Sequence, residues 1–216
     1  MRIGLLGTRG VPARYGGFET AAEEIGSRLV EHGHEVVVYC RNPGQDLAYY
    51  QGMALVNLPA VRARAVETLS HTALSVMHAV LRDHLDVAFV FNAANAPFLP
   101  MLRAAGVPVA IHVDGLEWRR AKWGTQASAY YRWAEARSAR WADAIIADAY
   151  GIAEHLRRAH GVQAHYLPYG APIVHPPADR PADRRGDGRS VPRRAGSAPA
   201  LRAPCAGARR SRTRRR

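Results

Sequence analysis

The chain has 216 residues, of which 48% are hydrophobic, and its formal net charge is +12. This apolar content is enough for a packed core and excludes a wholly disordered protein. Residues 177–216 carry 13 arginines and three aspartates, so most of the excess positive charge lies in that segment. The preceding part of the chain is close to neutral, and no nucleic-acid partner is expected for it.

The two cysteines, Cys40 and Cys205, lie far apart in the sequence. This spacing predicts neither a disulfide framework nor a cysteine-based metal site. No apolar run approaches the roughly 18 residues that span a bilayer, and the N-terminus lacks a charged and apolar leader. We therefore expect a cytoplasmic protein in a reducing compartment.

Hydrophobic periodicity predicts that strands and helices alternate along residues 1–175. A first strand at residues 3–6 is followed by an amphipathic helix at residues 18–30, and Pro97 is expected to begin a later helix. The other predicted strands are residues 36–39, 54–58, 87–91, 107–113, 144–147 and 165–167. This alternation implies an α/β fold with a Rossmann-like, doubly wound parallel sheet and ligands at the carboxyl ends of its strands.

The loop between the first strand and the first helix is rich in glycine. Gly16 and Gly17 immediately precede the helix, where unpaired backbone N–H groups lie at the positive end of the helix dipole. A phosphate suits this position, and two glycines allow a ligand to approach closely. The spacing of Gly7 and Gly10 matches neither the G-x-G-x-x-G nor the G-x-x-x-x-G-K-[ST] motif, so a plain β–α turn is an alternative.

A second polar segment, residues 112–118, begins at the carboxyl end of the fifth predicted strand. His112 and Asp114 would point the same way if the strand continues, and Glu117 follows within a turn. A histidine near two carboxylates indicates acid–base chemistry as readily as a structural hydrogen bond. No second histidine or cysteine lies at metal-ligand spacing, so no metal is expected, and Trp118 is predicted to form a wall for a sugar or a partner.

Three segments of the chain together resemble the N-terminal domain of a family 4 glycosyltransferase of the rhamnosyltransferase-like branch. They are residues 7–19, 112–124 and 142–149, and the resemblance extends from Met1 to about Val174. It implies one Rossmann-like half of a GT-B enzyme of polysaccharide biosynthesis, in which this half mainly holds the acceptor. The implied reaction transfers a hexosyl or rhamnosyl group from a nucleotide-sugar to a glycan or lipid-linked acceptor, with retention and without a metal or other cofactor.

The same resemblance gives roles to the polar residues of these segments. His112 and Asp114 are expected to be catalytic residues near the reacting sugar. The residues expected to bind the donor diphosphate are Gly16, Gly17 and Arg9. The residues expected to bind the acceptor are Arg14, Tyr15, Glu19, Glu117 and Trp118.

Residues 176–216 form a basic segment that contains no aromatic residue and is predicted to be disordered. We interpret it as out-of-frame translation of a GC-rich gene in the place of the second, donor-binding domain. The chain is then a truncated enzyme, and turnover by this chain alone is not expected. An arginine-rich arm that binds nucleic acid is the alternative interpretation of the segment.

Two other functions are weighed against glycosyl transfer. A non-catalytic domain could hold an acceptor while its basic segment contacts an anionic surface, such as the inner face of the cytoplasmic membrane. A nicotinamide-dependent oxidoreductase would carry an acidic residue at the end of the second strand, where Cys40, Arg41 and Asn42 stand instead, so this class is disfavoured.

Overall fold

The computed structural model describes residues 1–14, 16–41, 47–63, 66–113, 115–120 and 124–170. Two predicted site residues, Tyr15 and Asp114, lie outside these ranges. Residues 171–216 also lie outside them, so the division into a domain at 1–175 and a basic segment at 176–216 stays a prediction. No helix in the described ranges is both long and apolar enough to cross a membrane.

An eight-stranded sheet forms the centre of the described part of the chain. The strand order is β3-β4-β2-β1-β5-β6-β7-β8, and every neighbouring pair is parallel except β3 and β4. The strands are β1 (Arg2–Leu6), β2 (Glu35–Cys40), β3 (Tyr49–Tyr50), β4 (Met53–Asn57), β5 (Val87–Phe91), β6 (Val109–Val113), β7 (Ala144–Ala147) and β8 (His165–Tyr166).

Helices connect most of the parallel strands. They are α1 (Gly17–Glu31), α2 (Glu67–His78), α3 (Leu99–Ala104), α4 (Thr125–Trp141) and α5 (Tyr150–His160). A π-helical turn, Ala79–Asp83, continues α2, and 3₁₀-helical turns occupy Ala93–Phe98 and Glu117–Arg119.

Apolar side chains cover the sheet on both faces. Successive side chains of β2 point to opposite faces, as in any strand. Val36 and Val38 belong to an apolar cluster with Ala22 of α1, whereas Val37 belongs to a second cluster with Leu156 of α5. The sheet is therefore wound on both faces, and the predicted fold class is confirmed.

The structure contains all seven predicted strands and corrects two details. Strand β3 was not predicted, because its two residues are too few to show a hydrophobic period. Pro97 does not begin a helix, because it lies inside a 3₁₀ turn. Asn92 caps the start of this turn, and its Oδ1 accepts a hydrogen bond from the Ala94 N–H at 2.9 Å. Helix α3 begins at Leu99, with Pro100 in its first turn.

Candidate functional site

The candidate site lies where the carboxyl ends of the central strands meet the start of α1. Strand β1 leads through the glycine-rich loop into α1, and β1 pairs with β5, which in turn pairs with β6. His112 is the penultimate residue of β6. The two segments singled out in the sequence are therefore brought to the same edge of the sheet.

The N-terminus of α1 is exposed beside Gly17, whereas the Glu19 carboxylate lies next to Gly16. Gly16, the N-cap residue, has a φ of 99°, which favours glycine, and no side chain caps the helix. Gly16 and Gly17 are both exposed. A Cβ placed on Gly17 would meet only Tyr169 Cε2, at 3.7 Å, within the described part of the chain. The first N–H groups of α1 are thus positioned to receive an anion.

Two glutamates of α1 hold the glycine-rich loop against the helix. Glu19 Oε1 accepts a hydrogen bond from the backbone N–H of Arg9 at 3.0 Å, and Glu19 is buried. Glu23 Oε2 accepts another from the N–H of Ala13 at 2.6 Å. Glu19 therefore stabilises the loop, and its predicted contact with the acceptor stays a prediction. Sequence spacing gave no signal for Glu23.

The imidazole of His112 is buried among aromatic rings. Its ring centroid lies 5.7 Å from those of Phe18 and Phe91 and 5.4 Å from that of Tyr169. Burial lowers the pKa of His112 to about 4, so the ring is neutral at physiological pH. A neutral imidazole offers one hydrogen-bond donor and one acceptor to a bound ligand.

Tyr169 joins the two predicted segments and was not among the predicted site residues. Its ring lies beside Gly17 and is tilted by 30° to the imidazole of His112. The sequence offers one signal for Tyr169: it is the last aromatic residue of the chain, and it follows shortly after β8. The site is therefore covered on one side by an aromatic ring that could stack on a base or a sugar.

Three buried polar atoms at this edge of the sheet lack a hydrogen-bond partner among the described residues: His112 Nδ1, Asn95 Oδ1 and Asp148 Oδ1. Asn95 follows β5, His112 belongs to β6 and Asp148 directly follows β7, and these three strands are neighbours in the sheet. Burial raises the pKa of the Asp148 carboxyl. Because buried polar atoms are normally paired, this group indicates a place for a polar ligand.

The remaining predicted residues have other surroundings. Arg9 and Arg14 are exposed on the glycine-rich loop. Glu117 Oε1 lies 2.8 Å from Arg120 Nε, and Trp118 Nε1–H donates to Glu135 Oε2 at 3.0 Å. These two predicted acceptor residues are therefore held by neighbours on their own turn and on α4, and their contact with an acceptor stays a prediction.

Comparisons with known proteins agree with this architecture. The model of a family described as "Domain of unknown function (DUF1972)" matches residues 2–172. None of the curated protein sequences matches the chain significantly.

Several solved structures share the fold. Sucrose-phosphate synthase from Thermosynechococcus elongatus is 19% identical with a TM-score of 0.64, and the match covers 79% of this chain and 48% of that chain. Anabaena Alr3699/HepE in complex with UDP and glucose is 14% identical with a TM-score of 0.55, covering 79% and 44%. The lipopolysaccharide outer core galactosyltransferase WaaB is 18% identical with a TM-score of 0.50, covering 83% and 50%. This chain spans about half the length of the structures it matches.

Proposed function

The chain belongs to the DUF1972 family, and we propose that its domain supplies one side of the cleft of a glycosyltransferase. The observation that carries the proposal is the group of unpartnered polar atoms, His112 Nδ1, Asn95 Oδ1 and Asp148 Oδ1, at the same sheet edge as the exposed N-terminus of α1. A nucleotide-sugar has the matching chemistry. Its diphosphate suits the helix N-terminus, and the hydroxyl groups on its sugar ring suit the unpartnered polar atoms. The likeness to sucrose-phosphate synthase and to the HepE complex with UDP and glucose supports this ligand class.

In the proposed reaction the helix terminus receives the diphosphate of the donor. The N–H groups at Gly16 and Gly17 would stabilise the charge that develops on the leaving diphosphate, with Arg9 alongside and without a metal or other cofactor. His112, which burial keeps neutral, would form a hydrogen bond with a hydroxyl group of the reacting sugar.

The finer assignment follows the resemblance to family 4 enzymes. We propose retaining transfer of a hexosyl or rhamnosyl group to a glycan or lipid-linked acceptor, in polysaccharide biosynthesis in the cytoplasm. The acceptor would contact Arg14, Glu117 and Trp118. Because the chain spans about half the length of the matched structures, ligand binding rather than turnover is the property to test on it.

We expect Gly17→Val to weaken nucleotide-sugar binding by about tenfold or more, equivalent to about 1.4 kcal/mol. A valine side chain would occupy the space over the first N–H groups of α1, while its Cβ meets no atom closer than 3.7 Å. The measurement is saturation-transfer NMR on the purified 216-residue chain, with UDP-glucose and dTDP-rhamnose as donors and a rhamnose oligosaccharide as acceptor.

The matched control for this variant is Gly151→Val. Gly151 lies in the first turn of α5, and a Cβ there meets no atom within 4 Å in the described structure. The control should bind donors as the parent chain does. Equal binding by both variants would contradict the phosphate site, and acceptor binding without donor binding by the parent would favour the non-catalytic acceptor-binding function.

We further propose that α4 contacts an anionic membrane surface, where a lipid-linked acceptor would lie. The guanidinium of Arg132 is 4.7 Å from the ring centroid of Trp118, and that of Arg137 is 5.7 Å from the ring centroid of Trp133. Trp133 is 41% exposed. Arg132 is exposed and Arg137 is half-buried. Arginines beside aromatic rings suit the interface between water and lipid, and an exposed one contributes about 1 kcal/mol near an anionic membrane.

Arg132 and Arg140 of α4 are both exposed. The double substitution Arg132→Gln and Arg140→Gln is expected to reduce binding to phosphatidylserine-containing vesicles by about thirtyfold, because about 1 kcal/mol is lost for each of the two charges. Vesicle sedimentation at fixed salt measures the effect, and the basic C-terminal segment is present in every variant. The control is Arg157→Gln with Arg158→Gln, which removes two arginines that are paired with Glu154 on α5. A reduction of the same size in the control would show that only total charge matters.

A further inference from the structure

Two histidines of α5 converge on one buried glutamate of α4. His155 Nε2 lies 2.7 Å from Glu135 Oε1, and His160 Nε2 lies 2.9 Å from the same oxygen. The three candidate ligand atoms all lie within 4.8 Å of one another. This cluster was not visible in the sequence, because helix packing and not spacing brings the residues together.

We propose that Glu135, His155 and His160 bind a zinc ion at a site that the proposed transfer reaction does not use. Two imidazole nitrogens and one carboxylate oxygen are a characteristic ligand set for zinc, with a water molecule in the fourth position. Softer metals favour thiolates, and harder ions such as magnesium favour sites made only of oxygen. The ligand set therefore selects zinc or a similar borderline ion.

The geometry is close to what a tetrahedral site needs. Ligand atoms about 2.0–2.1 Å from a zinc ion lie about 3.3 Å apart, so the two pairs at 2.7 and 2.9 Å must separate by about half an ångström. Rotation of the imidazole side chains would have to bring the two histidine nitrogens, which lie within 4.8 Å of each other, to the same separation. The side chains of His155 and His160 are 21% and 19% exposed, which leaves an entry route for the ion and room for its water.

The surroundings hold the carboxylate ligand in place. Trp118 Nε1–H donates to Glu135 Oε2 at 3.0 Å, which leaves Oε1 directed at the histidines. A hydrogen-bond donor on the non-ligating oxygen is a usual feature of carboxylate ligands in metal sites. Burial raises the pKa of the Glu135 carboxyl, but the hydrogen bonds from His160, His155 and Trp118 outweigh it and hold that pKa below its usual range.

Competition with a chromophoric chelator tests the site on the full 216-residue chain, with zinc chloride as the probe. The parent chain is expected to bind one zinc ion with a micromolar or lower dissociation constant. His155→Ala and His160→Ala should each weaken that binding by at least about tenfold. His32→Ala and His84→Ala, which remove exposed histidines of other elements, should leave it unchanged.

X-ray absorption at the zinc edge of the parent chain keeps the test independent of variants that fail to fold. The expected spectrum has two imidazoles and light-atom neighbours only. Failure to bind one equivalent of zinc would overturn the proposal. So would a sulfur neighbour, fewer than two imidazoles, or the parent affinity in His155→Ala.

Discussion

The substitution Gly7→Ala is expected to lower the free energy of unfolding by about 4 kcal/mol, since strain and overpacking each cost about 1–3 kcal/mol. Gly7 has a φ of 89°, and a Cβ there would lie 2.4 Å from the carbonyl oxygen of Phe91 and 2.7 Å from Asn95 Nδ2. The first of these atoms belongs to the backbone of β5 and cannot move aside. Thermal unfolding measures the effect, and a loss of this size shifts the melting temperature by about 10 °C for a chain of this length.

Gly33→Ala separates the steric clash from backbone strain. Gly33 has a φ of 82°, close to that of Gly7, but a Cβ there meets no atom within 4 Å in the described structure. The control should therefore lose only the cost of a left-handed conformation, about 1–2 kcal/mol. Equal losses in the two variants would show that the approach of the loop to β5 is looser than the structure describes.

The sheet could be predicted because its central strands are nearly continuous apolar runs. The run at residues 36–39, for example, is buried on both faces, and that is the pattern of a parallel strand between helical layers. Strand β3 and the 3₁₀ turn at Ala93–Phe98 escaped prediction because they depend on a short hairpin and on one capping side chain, Asn92. Both are short local features that show no hydrophobic periodicity in the sequence.

The site could be predicted only in part. The sequence singles out His112 by its position at the end of a strand and Gly17 by its position at the start of a helix, and the structure brings both to one edge of the sheet. Their common contact with Tyr169 joins residues far apart in the sequence, so no motif records it. The cluster of Glu135 with His155 and His160 was missed for the same reason, because it depends on how α4 and α5 pack.

The stability of the parent chain is expected to fall as the pH falls from about 6.5 to 4. Burial lowers the pKa of His112 to about 4 in the folded state, and burial does the same for His71. The unfolded state, with an ordinary histidine pKa of about 6.5, binds protons that the folded state does not. The stability from these neutral histidines is therefore complete above pH 6.5, and about 3 kcal/mol for each is lost on reaching pH 4.

We expect His112→Phe to abolish ligand binding and to remove the part of the acid-induced loss of stability that comes from His112, leaving the part that comes from His71. A phenyl ring would lie among Phe18, Phe91 and Tyr169, and the substitution removes a buried Nδ1 that has no partner in the described part of the chain. Such an atom costs about 1–3 kcal/mol, so the variant should be at least as stable as the parent at pH 7. Urea unfolding at pH 7 and pH 4 should show a difference about 3 kcal/mol smaller than in the parent.

His84→Phe, a change at an exposed histidine, is the control and should keep the pH dependence of the parent. Saturation-transfer NMR with UDP-glucose and dTDP-rhamnose completes the experiment. If His112 served only packing, its replacement would lower the stability of the protein and leave ligand binding intact. Replacing a residue retained for its chemistry has the opposite effects, because a buried Nδ1 without a partner is costly until a ligand supplies its hydrogen bond. Unchanged ligand binding by a destabilised His112→Phe would therefore remove His112 from the proposed site.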